Sequence, residues 1–194
     1  MDLSGPFGVK GLQAPPDRHR VKICFPFQRH GVPFHFRRAG TPVEEPTKIS
    51  KFWQDYYELA NAVAPELKMK IPTDNTGTTI FFRPDEFPVW MKLIHKAHLG
   101  AVVIQMNGMG PFLSEVGERL GPLIEANMVI ERTHKSAAVK MEVPVIDMTR
   151  PLSDQKVPVL NAIHVAQELH RWGAKNLHHL VELHDKYTTE WKKP

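Results

Sequence analysis

EFPVWMKLIHKAHLG, residues 86–100, runs straight into AVVIQM at 101–106, and the fold turns on how this stretch is read. Pro88 stands near the start of the first segment and Gly100 just past its end, the places where a helix accepts proline and where glycine closes one. The pattern predicts a helix over 86–98. AVVIQM is a short unbroken apolar run, the length of a buried strand, and is predicted to be central in a sheet.

Upstream, LKMKI at 67–71 alternates as a strand does. Asp74-Asn75-Thr76-Gly77 supplies turn chemistry before TTIFFR at 78–83, so the two runs form a hairpin or lie as neighbours in one sheet. Before them, KFWQDYYELANAVA at 51–64 has helical spacing, with Trp53, Tyr57 and Ala60 on its apolar face and Phe52, Leu59 and Val63 alongside. Ser50 is its expected N-cap, and Pro65 closes it. Downstream, GPFLSEVGERLGPLIEAN at 110–127 reads as helix in two pieces parted by Gly121-Pro122, followed by strands at 128–132 and 138–146.

The end of the chain changes character. TRPLSDQKVPV, 149–159, is linker-like, and two helical patterns then follow, divided by Gly173. Leu160, Ile163, Val165 and Leu169 mark the first apolar face; Leu177, Leu180, Val181, Leu183 and Tyr187 mark the second. The chain thus reads as α/β or α+β, a mixed sheet with interleaved helices. Residues 1–19 form an extended basic arm, 20–148 the body, and 149–194 a linker with a C-terminal helical hairpin.

With 194 residues, 42% hydrophobic and 24% charged, one core of moderate size is expected. No apolar run approaches the roughly 18 residues of a spanning helix, which argues against membrane insertion. Cys24 is the single cysteine, so an intramolecular disulfide and a multi-cysteine zinc site are excluded. Between Ile23 and Phe25 it reads as a small buried hydrophobe.

Charge is unevenly placed. The chain carries a net +4, and its first 40 residues hold Lys10, Arg18, Arg20, Lys22, Arg29, Arg37 and Arg38 against Asp2 and Asp17 alone. The remainder is close to neutral. Such an arm suits a polyanion, and these seven residues are the candidate RNA contacts, through phosphates. Phe25, Phe27, Phe34 and Phe36 read either as bases' stacking partners or as the core face of a strand. The N-terminus has no continuous apolar region of the secretory kind, and Pro6, Pro15 and Pro16 oppose the helix of a cleavable mitochondrial presequence.

The chemistry-bearing motifs are weak. His95 and His98 would share a face of the predicted 86–98 helix, and His178 and Glu182 stand four apart, yet no zinc-protease pattern is present. NGMGPF, 107–112, lies where a phosphate loop would sit, but lacks the third glycine and the Gly-Lys-Ser/Thr, and puts Pro111 among the amides that would have to donate. It reads as a strand-to-helix turn. No G-x-S-x-G elbow occurs, and Asp85, Glu142 and Asp147 have no paired spacing. No catalytic residue, cofactor or metal is predicted.

The order RVKICFPF, loop, KFWQDYYELANAVA, Pro65, LKMKI, TTIFFR over 20–83 resembles the small thioredoxin-like domain shared by certain mitochondrial ribosomal proteins and an accessory subunit of respiratory complex I. With no C-x-x-C there is no basis for thioredoxin-type redox chemistry. The resemblance implies a structural subunit of a large mitochondrial assembly. The expectation is therefore a non-enzymatic ribosomal protein of the mitochondrial matrix, touching ribosomal RNA through the N-terminal bases and neighbouring proteins through the C-terminal helices. The alternatives are a small enzyme with a pocket beside 107–112 and histidine chemistry, or an accessory subunit of a respiratory complex.

Overall fold

The computed structural model describes residues 48–71 and 77–191, all within one compact unit. Helix α1 (Lys48–Val63) leads into a 3-10 turn at Pro65–Leu67, and Lys68 turns the chain with φ +46° into β1 (Met69–Lys70). Strands β2 (Thr79–Phe82), β3 (Met91–Lys96) and β4 (Ala101–Asn107) follow, then α2 (Leu113–Leu120), β5 (Val129–Arg132) and β6 (Ser136–Glu142). Helices α3 (Lys156–Lys175) and α4 (Leu177–Trp191) complete the described chain. The six strands form one sheet in the order β1-β2-β3-β4-β6-β5, antiparallel at every pairing.

The fold class is as expected: helices interleave with a sheet, β4 lies inside it, and β1 pairs with β2. The helix predicted over 86–98, however, is a strand. Trp90, Leu93, Ile94 and Ala97 do have the i, i+3, i+4, i+7 spacing of a helical stripe, but β3 is flanked on both sides, by β2 and by β4. On the second face Ile94 is buried among Ala101, Val103 and Ala138, so Leu93, Ile94 and His95 form one buried run in which the alternation is lost. The two supposed helix signals serve turns. The Pro88 carbonyl accepts the Met91 N–H at 2.9 Å, and Gly100, at φ +59°, reverses the chain between the 3-10 turn Ala97–Leu99 and β4.

Smaller differences have similar causes. On α1 the buried residue is Tyr56 and not Tyr57, because Phe52, Tyr56, Ala60 and Ala64 line one i, i+4 ridge. The helix starts at Lys48, so Ser50 is inside it and not at its N-cap position. Beyond Gly121 the second helical piece is only a 3-10 turn, Gly121–Leu123. The stretch 149–159 is no linker: Leu152–Gln155 is a 3-10 turn, α3 begins at Lys156, and Gln155 is buried with its side-chain amide bonded to the backbone around Asp147. The break between the last helices falls at Asn176, not Gly173.

Gly173 has a packing role. A Cβ there would lie 2.7 Å from the Phe87 ring and 2.9 Å from the Ile104 side chain. Its absence lets α3 rest directly on β4 and on the loop of residues 83–90. One core results, in which α1, α2, α3, α4 and a single sheet face contribute to the same cluster.

Two glycines seven residues apart test this packing. A Cβ on Gly110 would come within 2.7 Å of the Ser136 nitrogen and the Thr133 carbonyl, both rigid backbone, whereas one on Gly117, within α2, meets nothing inside 4 Å. Gly110→Ala is expected to cost roughly 1–3 kcal/mol. Gly117→Ala should instead stabilise by up to about 1 kcal/mol through helix propensity. Urea unfolding of both variants checks the opposite signs.

Candidate nucleic-acid interface

Strand register divides the sheet residues between two faces. Ile80, His95, Val102 and Met141 lie in one row, and Phe82, Leu93, Ile104 and Val139 in the next, all facing the helices. The other face carries Lys70, Phe81, Ile94, Val103, Lys140 and Val129 across one row, with Lys92, Gln105, Ala138 and Glu131 across another. Its buried residues, Ile94, Ala101, Val103 and Ala138, form a separate small cluster that contains no helix residue.

Two ion pairs lie on this second face: Lys96 Nζ and Glu131 Oε2 approach to 4.0 Å across the intervening β4 and β6, and Lys140–Glu142 stands at 3.7 Å.

The remaining cations gather at one corner. Lys70, Arg83 and Lys92 surround Phe81, and among the described residues no carboxylate pairs with any of them. Together with Val89 and Pro84 they line an open cleft of about 600 Å³. Phe81 is 39% exposed and Val89 96% exposed, an uncommon placement for side chains of their kind beside three free charges. Asp85, the acid in the cleft wall, is already paired with Lys68.

The cleft is held from below. Arg83 donates its backbone N–H to the carbonyls of Leu67 and Lys68, at 2.9 and 3.1 Å, which continues the β1–β2 pairing and leaves the guanidinium outside. Phe87 packs edge-on against His170, at 5.6 Å between ring centroids, and Trp90 stacks on His184 at 4.2 Å and 6°. His170 Nε2 lies 3.1 Å from a Glu86 oxygen. Glu86's own backbone N–H, followed by this histidine, holds its carboxyl below the usual range. The loop of residues 83–90 is thus fastened to α3 and α4, and the cleft wall with it.

The predicted RNA contacts Lys10, Arg18, Arg20, Lys22, Arg29, Arg37 and Arg38 lie outside the described residues, as do Cys24 and the phenylalanines beside it. The cleft residues were missed, although part of the signal was present: alternation already places Lys70 outward from the core face of LKMKI, and Phe81 and Arg83 together on one face of TTIFFR. Lys92 was hidden by the helical reading of its strand.

The histidines do not converge. His95 points into the core from β3, whereas His98 is exposed on the following turn, its Nδ1 3.2 Å from the Thr78 carbonyl oxygen. His178 and His179 lie exposed with their rings 3.7 Å apart, and His184 is engaged with Trp90. Among the described residues no group of three or more His, Cys, Asp or Glu is placed to hold a metal. NGMGPF is a strand-to-helix turn in which three amides have backbone acceptors: Asn107 donates to Trp90, Gly108 to Lys135 and Phe112 to Met109. No helix among the described residues is long and apolar enough to cross a membrane. No protein-family model, curated protein or solved structure matches the chain.

His95 has a different consequence. Its Nδ1 is 3.0 Å from the Tyr56 hydroxyl, and among the described residues its Nε2 is buried without a hydrogen-bond partner. Burial pushes its pKa down to about 3 from 6.5, and burial likewise pushes the Tyr56 hydroxyl up. The unfolded chain therefore takes up a proton below pH 6.5 that the folded chain refuses until about pH 3. The stability involved is fully present above pH 6.5 and is lost as pH falls through this window, by up to about 1.4 kcal/mol per pH unit. His95→Gln should flatten this part of the profile between pH 6.5 and 4, as read from urea unfolding at each pH; equal slopes would remove His95 as its source.

Proposed function

We propose that this protein is a non-enzymatic structural component of a large ribonucleoprotein, a ribosomal protein of the mitochondrial matrix, that contacts ribosomal RNA. The observation that carries this reading is the cluster of Lys70, Arg83 and Lys92, unpaired among the described residues, around an exposed aromatic ring on an open sheet face. Elsewhere on that face the cations have carboxylate partners, Lys96 with Glu131 and Lys140 with Glu142. Three exposed cations in one cleft raise a local positive potential, which favours a polyanion.

The basic residues at 10–38 extend the same argument along the chain, and the resemblance over 20–83 supplies the mitochondrial setting. The reading also accounts for the histidines, which are used in packing and in surface contacts. Neighbouring proteins of the assembly would meet the exposed side of the C-terminal helices, where Arg171, Lys175, His178 and Glu182 are exposed.

The tagged protein, sedimented from gently lysed mitochondria, is expected to travel with ribosomal subunits and to leave them after ribonuclease treatment. A slow peak indifferent to ribonuclease would overturn the proposal. A fast and equally indifferent peak would transfer the protein to a respiratory complex.

A further inference from the structure

Resting on that reading, we propose that the cleft around Phe81 is a seat for one unpaired base of single-stranded RNA, with the flanking phosphates held by Lys70, Arg83 and Lys92. Lys70 is the direct cross-strand partner of Phe81, Arg83 is two residues farther along the same face, and Lys92 is diagonal to Phe81 on β3. The cations therefore stand on three sides of the ring and leave its exposed surface open. That is the arrangement of a stacking platform with an electrostatic rim, in which the ring takes the base and the ammonium and guanidinium groups track the backbone.

Shape selects the single strand. A cleft of about 600 Å³ accommodates one base with its sugar, within the usual roughly 300–1,000 Å³ of small-ligand pockets. In a duplex the base faces are covered by their neighbours, and the deep major groove of A-form RNA is closed to side chains, so Phe81 would have nothing to stack on. An acidic protein segment would satisfy the cations as well, but it would not need the planar ring. The same position then distinguishes the two partners, because leucine keeps apolar area and loses the π-face, whereas tryptophan enlarges the π-face.

The seat is also preorganised. The strand that carries Phe81 is paired on both sides, and the far wall is fixed by Phe87 against α3 and Trp90 against α4. The backbone that carries Phe81 is already fixed when the base arrives, which lowers the entropic cost of binding. The polar side chains of the cleft are the three cations and Asp85, which is held by Lys68, so recognition rests on stacking and charge and favours an unpaired base.

The test uses the full chain and fluorescence anisotropy with a labelled decamer of uridine, a 16-base-pair RNA duplex, and a polyglutamate peptide. For the decamer, Phe81→Leu is expected to weaken binding about 5- to 100-fold with an unchanged salt slope, and Phe81→Trp to retain it. Changing Lys70, Arg83 and Lys92 together to Ala should weaken binding and reduce the slope by about two, near 0.7 per lost phosphate contact. Decamer binding that Phe81→Leu leaves intact while the triple variant weakens it would overturn the base seat and leave the ribonucleoprotein reading standing. If neither RNA binds, both ideas fall; if the triple variant binds both as wild type does, the base seat falls and RNA contact passes to the basic residues at 10–38. Tighter binding of polyglutamate than of either RNA, tolerant of Phe81→Leu, would assign the cleft to an acidic protein.

Discussion

The ring of Phe87 rests where Gly173 has no side chain, and much of the molecule's geometry follows from that contact. It lets α3 lie close on β4 while pinning the loop of residues 83–90 to the same helix. Trp90 extends the attachment to α4 by stacking on His184, and Asn107 ties the end of β4 to the Trp90 carbonyl. An eight-residue loop between two strands would ordinarily be a mobile part of a sheet. Here aromatic and imidazole contacts hold it, together with backbone bonds at Arg83 and at Trp90, and the cleft it borders inherits that order.

The two sheet faces divide the physical work. The helical face is filled by large apolar side chains and closes the core, and the Tyr56–His95 pair sits deep enough within it that the imidazole remains neutral. The opposite face has small residues at its centre and long charged ones around them. Most of its charge is internally neutralised. The corner at Phe81 is not, and charge left uncompensated beside exposed aromatic surface is the signature from which a partner is argued.

How much of this was legible can be followed through particular residues. AVVIQM proclaimed itself a central strand because the centre of the second face is buried among its own small side chains, which leaves residues 101–104 apolar on both faces. That same constraint misdirected the reading of MKLIHK. Once Leu93, Ile94 and His95 are all buried, period two vanishes, and the nearest remaining regularity is helical. Proline at 88 and glycine at 100 then agreed with the wrong element, since both residues serve turns as readily as helix ends. The cleft suffered in consequence. Lys70, Phe81 and Arg83 can be found by alternation, but they become a cluster only when Lys92 is recognised as a neighbour on an adjacent strand.

The sequence by itself determined the alternation of helices and strands, the central strand, the adjacency of the runs 67–71 and 78–83 in one sheet, the break after Val63 at Pro65, and the concentration of basic residues before position 40. These are local properties, carried by propensity, period and turn chemistry over a few residues. Tertiary structure alone decided that 91–96 is a strand, that Tyr56 rather than Tyr57 enters the core, that Gly173 is a helix contact and not a break, and that three cations remain unpaired around Phe81. Each of those depends on what lies opposite a residue across the sheet or across the core, and that neighbour is far away along the chain. Pairing energy and steric fit between distant segments outweigh local preference wherever the two conflict.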